Sequence, residues 1–553
     1  MKRTRLLTLL FIAANLIGGS VPAFADANDG TGYSVPTDEQ LKGALLEEFT
    51  GIHCGNCPSG HAIAQQLANA CDRVYVVAVH AGSYATPAFD QPDFRIDEGE
   101  EMVEEFGTER VGYPCGMINR HDFLSSGSPV CSRSMWKVLA KAATSETAPV
   151  NLLAKASYDG NTRELKVHVE GYFTAADQAD DQHLNIIWTQ SNILGPQNGG
   201  LMGDEYVHRH MLRGFITPLW GDTLDTAKQG TYFARDYTIT LPEAIKDVTV
   251  KAEDIEVIAF VTNGKRDVQN VTGCKPEYIN YSKPLAGELS APLIPIGGYW
   301  GCNFFEATLK NNSDKTLTEA TFSIDINGTA KTATWTGEIA PFESKEITIR
   351  TQYDVEDNVQ NKYSITLQSL NGQQVEPSVL SGTFTSPREA TPEISLKLKT
   401  NKESDENTFC IKDADGQTVK EFGPYPTGSV TETTESVTLE PNRIYYLEIT
   451  DKWGDGIYSP AGYAVVRSSD NSLVDQIYAI DGFGIRSVFR TSKEAVGIEG
   501  VSSQSAADAD IVVYSTDGTV AYKGKRSAMD LTPGVYIIYD SASRTVSKVT
   551  INK

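Results

Sequence analysis

From Pro149 onward the chain is written as short runs in which apolar and polar residues alternate, interrupted by Gly, Asp and Asn. A period of two places successive side chains on opposite faces of a strand, so this texture calls for β-sheets and leaves no room for long helices. Residues 165–169, 184–188, 237–241 and 257–262 form one group of such runs, and residues 304–310, 321–326, 346–350 and 363–367 form another. Prolines within 284–295 and 387–392 separate the blocks, and further β texture follows over 393–490 and 497–553. No fixed repeat period is present, which argues against a solenoid. With 553 residues the chain exceeds what one core organises, and about 150 residues per domain leads to several modules in series, each of the sandwich type.

Residues 41–120 follow a different grammar. Residues 45–49 read as a strand, 58–70 as an amphipathic helix and 74–80 as a buried β-branched strand. A helix over 96–106, a short strand over 116–119 and a helix over 133–143 continue the alternation, which indicates an α/β layer with a central sheet. The expected fold class is therefore multidomain, with an N-terminal α/β domain followed by all-β modules.

The N-terminus carries Lys2, Arg3 and Arg5, then an apolar run over 6–18, then the small residues Ala23 and Ala25 of a cleavage site. This is the pattern of a secretory signal peptide over 1–25. Its apolar run falls short of the roughly 20 residues that cross a bilayer, so no membrane-spanning segment is expected in the mature chain. No cysteine follows the cut to carry a lipid. Loss of those three positive charges takes the net charge of −24 to −27. So acidic a chain repels phosphate backbones and anionic lipid, which excludes nucleic acid as a partner.

Five of the eight cysteines fall between Cys54 and Cys131, and in an oxidising compartment they can pair. Cys54 and Cys57 stand between the first strand and the first helix, with Pro58 in the opening turn of that helix. Free N–H groups and the positive end of the helix dipole favour a thiolate on Cys54, which makes it the attacking thiol and Cys57 the resolving one. The run Glu47-Glu48-Phe49-Thr50-Gly51-Ile52-His53-Cys54-Gly55-Asn56-Cys57-Pro58, with Val111-Gly112-Tyr113-Pro114 downstream, resembles the thioredoxin family over about 41–141. The resemblance implies a cis Pro114 that faces the cysteine pair and holds an extended substrate strand. His53, where many of these proteins have Trp, and Cys115, directly after the proline, depart from the family pattern. An inert bridge between Cys54 and Cys57 is the competing reading, because fold does not fix function.

Other clusters carry less. His61, four residues after Cys57, would add one ligand on the same helix face, but a zinc site needs four. His208 and His210 would share one face of a strand, and two imidazoles alone make the polar rim of a β domain the expected role. Asp451-Lys452-Trp453-Gly454-Asp455-Gly456 offers carboxylates and a Gly turn, yet Trp453 and Gly462 occupy positions where an EF-hand needs oxygen ligands, so a tight β turn is expected. No cofactor and no metal ligand is predicted. The stretch Tyr206-Val207-His208-Arg209-His210-Met211-Leu212-Arg213, following the N-terminal segment, resembles the outer-membrane-protein-twenty-eight-related group of envelope proteins, up to about Tyr281. That resemblance implies placement at the outer membrane or surface.

Three apolar runs near the C-terminus, 511–518, 531–538 and 547–553, are separated by Gly-containing turns and read as a small β module. It resembles the C-terminal sorting domain of type IX secretion cargo, which implies passage through the periplasm to the cell surface and an encounter with the type IX secretion machinery. The expected domains are a signal peptide 1–25, a linker 26–40, a thioredoxin-like domain 41–146, a β-sandwich 147–283, an Ig-like β domain 284–390, a β domain 391–495 and a sorting domain 496–553. The expected function is thiol-disulfide exchange on the thiols or disulfides of exported proteins through Cys54, Cys57 and Pro114. The alternative is a non-catalytic surface binding protein or antigen with a structural disulfide.

Overall fold

A computed structural model describes residues 34–551, apart from 176–180, 295, 298–303, 352–359, 493–509, 541–544 and the single positions 226, 386, 459, 479 and 517. The signal peptide, most of the linker and Cys302 lie outside the described residues. The architecture is predominantly β, arranged in many sheets, as the alternating texture demands.

The N-terminal unit alternates strand and helix: β1 (Ala44–Thr50), α1 (Cys57–Ala70), β2 (Val74–His80), α2 (Asp97–Phe106), β3 (Cys115–Ile118), β4 (Cys131–Ser132) and α3 (Trp136–Ser145). β1 and β2 pair in parallel from Ala44↔Val74 to Thr50↔His80, and β3 runs antiparallel to β1 with Phe49 opposite Cys115. Both faces of this sheet are covered, so β1 is buried along its whole length and β2 nearly so. Helix α1 turns Cys57, Gly60, Ala64 and Leu67 inward, the three-to-four spacing of one helical face. Acidic residues fill the first turn of α2, where the helix dipole favours them. The helix expected over 133–143 opens as a 3₁₀ turn, Arg133–Met135, and becomes α-helical at Trp136.

The sheet does not stop at the boundary expected at 146/147. Strands β5 (Val150–Asp159), β6 (Glu164–Phe173), β7 (Gln182–Gln190), β8 (Ile193–Gly195), β9 (Tyr206–His208) and β10 (Met211–Phe215) follow. The edge of β2 accepts β10 in parallel at Met211↔Ala78, and beyond β10 lie β7 and the strands Ile255–Asn263 and Arg266–Cys274. One nine-stranded sheet thus runs through both units. Its distal half is covered by a four-stranded sheet containing β5 and β6, and Val167, Val169, Ile186, Trp188, Val257 and Ala259 fill the space between.

Two sandwiches follow. Gly287–Ser290, Phe304–Asn311 and Ser344–Arg350 form a three-stranded sheet that shares a core with a five-stranded sheet centred on Leu317–Ile326 and Asn361–Leu370. In the next module a six-stranded sheet packs on a four-stranded one around Leu396, Phe409, Leu447 and Phe489. The C-terminal unit has four strands, not three. The additional one, Val520–Lys525, is half polar and largely exposed, so it carries little hydrophobic signal in the sequence.

Candidate functional site

Cys54 and Cys57 are joined by a disulfide with Cα atoms 5.4 Å apart. α1 begins at Cys57, and Cys54 sits ahead of it in a turn where its N–H donates to the Gly51 carbonyl at 3.0 Å. Both cysteines are buried, at 2% and 0% exposure. The Tyr113–Pro114 peptide is cis, and Pro114 packs on the first turn of α1. A Cβ on Gly60 would lie 2.9 Å from the proline ring and 2.5 Å from a Glu48 carboxyl oxygen, so this approach requires glycine. Cys115 shares the buried cluster of Cys54 and Cys57, and burial pushes its thiol up to about 12, with the nearby Cys131 and Glu48 adding to the effect. Burial likewise pushes Cys131 up to about 11. Neither is a thiolate at neutral pH, so neither serves as a ready second nucleophile.

What covers the cysteine turn comes from far along the chain. Between β8 and β9 the backbone crosses the cysteine turn: Asn198 N–H donates to the Ile52 carbonyl at 2.8 Å, and the Gln197 amide donates to the carbonyls of Cys54 at 2.9 Å and Gly51 at 3.1 Å. The Asn198 side chain donates to the His53 carbonyl at 3.2 Å. Gly199 adopts φ +77°, and a Cβ there would stand 2.3 Å from the Gly55 carbonyl oxygen. The segment 197–199 is therefore seated directly on residues 51–55 and hydrogen-bonded to their backbone. In the sequence this stretch reads only as a turn, Gly195-Pro196-Gln197-Asn198-Gly199-Gly200, with nothing to say where it lands.

His61 does not join the cysteines. Its ring bonds Thr50 Oγ1 at 2.8 Å and Tyr206 Oη at 2.7 Å. Nor do His208 and His210 share a strand face: β9 ends at His208, and His210 takes φ +52°, which breaks the alternation. His208 turns into a cluster with His61, His80 and Phe94, while His210 faces Gln65 at 3.3 Å. The Asp451 loop is a turn, as expected, and also a contact. Trp453 is buried among Ala64, Leu67 and Leu139 of the N-terminal unit. Glu403, Glu406 and Asp455 converge nearby, with Lys137 bonded to all three.

Residues 104–278 match the family described as outer membrane protein Omp28. Among solved structures the chain is similar to HBP35 of Porphyromonas gingivalis, with 18% identity and a TM-score of 0.34 over 63% of this chain and 99% of that one. A domain of the outer membrane lipoprotein Omp28 from the same organism gives 20% identity and a TM-score of 0.18, over 24% of this chain and 90% of that one. No curated protein matches. The Omp28 match includes β10 but not β2, its partner at the join of the long sheet, and a surface-exposed location at the outer membrane fits the match.

Proposed function

We propose that this chain is a non-catalytic binding protein of the outer membrane surface, in which Cys54–Cys57 is a structural bridge and the β modules present the interaction face. The observation that carries this reading is the segment seated on the cysteine turn, with both cysteines buried. A thiol attacking Cys54 must approach in line with the S–S bond, and segment 197–199 is held over that turn by four hydrogen bonds to residues 51–54. The N-terminal unit is read as a thioredoxin-like scaffold, supported by its β1-α1-β2 order and by Pro114 against α1. Residues 496–553 are read as a type IX sorting module, supported by the order of their strands and turns.

Thiol-disulfide exchange is the second reading, favoured by the position of the pair at the start of α1. A trapping experiment separates the two. Cys57→Ser, alone and combined with Cys115→Ser, should accumulate no more mixed disulfide with exported proteins than Cys54→Ser does. Covalent partners that depend on Cys54 and appear only when Cys57 is missing would establish exchange and displace the binding reading.

A further inference from the structure

A cleft of about 570 Å³ lies between α1 and the module that carries Trp453. β2, β9, His210 and the loop 481–483 supply most of the lining that α1 does not. The contact between the modules fixes that loop. Trp453 is buried among Ala64, Leu67 and Leu139, and the next residue, Gly454, lies so close to Phe483 that a Cβ on it would stand 2.6 Å from the ring. Rings dominate the lining. Those of His61, Tyr206 and His208 have centroids 5.1, 5.7 and 6.3 Å apart, His80 follows at 5.2 Å from His208, and Phe483 adds a ring from the other module. His61 is bonded at both nitrogens, and backbone carbonyls of Ala78, and of Gly195 and Pro196, meet the rings of His80 and His208, so the imidazoles serve as wall. Oε1 of the buried Glu48, also in the lining, has no hydrogen-bond partner among the described residues.

We propose that this cleft binds an uncharged, flat aromatic molecule that carries a hydrogen-bonding group for Glu48. Its volume lies within the roughly 300–1,000 Å³ of small-molecule sites, and a ring-lined wall with one buried polar group is how such sites fix orientation. Aromatic rings prefer offset or edge-on neighbours, which the wall offers to a further ring. The absence of charge follows from the side chains on the N-terminal side. Burial raises the Glu48 carboxyl well above the usual carboxylate range, lowers His61 to about 3 and His208 and His210 to about 4, and lowers His80 well below the usual range. A charged ligand would lose its water there and meet no counter-ion. Arg209 and Asp481, the charged residues of the lining, are exposed and opposite in sign. Protonated Glu48 both donates and accepts, so a ligand N–H or carbonyl would satisfy an oxygen that is otherwise stranded.

The cleft uses neither the cysteine bridge as a reactant nor the exposed faces of the β modules, so its test is independent of both. Aminoanthracene, uncharged near neutral pH and fluorescent in an apolar site, is added to the full chain with Cys54–Cys57 intact. One molecule per chain should bind saturably with blue-shifted emission, and the anionic anilinonaphthalene sulfonate should not displace it. Ala62→Trp sends an indole into the cleft from an exposed position of α1 and should weaken binding at least about tenfold. Phe483→Ala removes a ring of the wall, and Glu48→Leu removes the buried carboxyl at similar volume. Each should weaken binding by about fivefold. Leu124→Trp, at an exposed position outside the lining, should bind as the wild type does. Far-ultraviolet circular dichroism reports the folding of every variant. Wild-type affinity in any of the first three folded variants, no saturable binding by the native chain, or displacement by the sulfonate would overturn the assignment.

Discussion

Arg120→Ala is expected to destabilise the N-terminal unit by about 3–5 kcal/mol, because it leaves the Glu47 carboxylate buried without its partner. Arg120 is 1% exposed and holds Glu47 in a fork, with Nε to Oε2 at 2.8 Å and the terminal nitrogen to Oε1 at 2.6 Å. The guanidinium also lies over the rings of Phe106, Trp220 and Phe260, so it ties α2, β1 and the strand Ile255–Asn263 together. Removal of both charges, in Glu47→Leu with Arg120→Leu, should cost less than either single change, since it is the unpaired charge that is expensive. Hydrogen exchange of the β1 amides measures both effects. An Arg120→Ala cost below about 1 kcal/mol would show that the pair is not desolvated as described.

The second large effect concerns the contact between the N-terminal unit and the fourth module. Trp453→Ala removes a buried indole from between α1 and α3 and should cost about 3–5 kcal/mol of docking. The stability of that module should also depend on pH through Asp451, whose carboxyl is raised to about 7 by burial and by Asp455 and Glu406 of the same module, while Lys137 across the contact pulls it down. Because the folded value lies above the unfolded one, protonation favours the folded module. That contribution is complete below about pH 4 and is lost as pH rises through about 7. Lys137 and Lys141 are both raised by their carboxylate partners and stay charged throughout this window. The melting temperature of the module should therefore be lower at pH 8 than at pH 5.5, and Asp451→Asn should flatten the difference. Equal melting temperatures at both pH values would refute the linkage.

How much of this was legible in the sequence depends on the range of the interaction involved. The helix over 57–70 and the parallel strands around it follow from local periodicity and from Pro58, and the sequence reading places them to within a residue or two. Glu47 and Glu48, adjacent on β1, point to opposite faces and meet quite different fates, Glu47 with Arg120 and Glu48 beside His61. Nothing local separates them. The join of the two halves of the sheet rests on β10 adding to β2, more than a hundred residues apart, and no short-range pattern encodes such a register. The seal over the cysteine turn was hidden for the same reason. Its residues carry ordinary turn chemistry, and their role comes from the backbone atoms they meet. His80 was read as the end of a buried strand, which it is, and the cluster it forms with His208 is a tertiary fact.

The most direct measurement of the central claim is the rate at which dithiothreitol reduces Cys54–Cys57 in the native chain. A bridge sealed by segment 197–199 should be reduced slowly, at a rate that stops rising with reductant once opening of that segment becomes limiting, and Gln197→Ala should accelerate it by removing two of the hydrogen bonds that hold the seal. Reduction that is fast, proportional to dithiothreitol over the whole range and unchanged by Gln197→Ala would contradict the account and return the pair to redox chemistry.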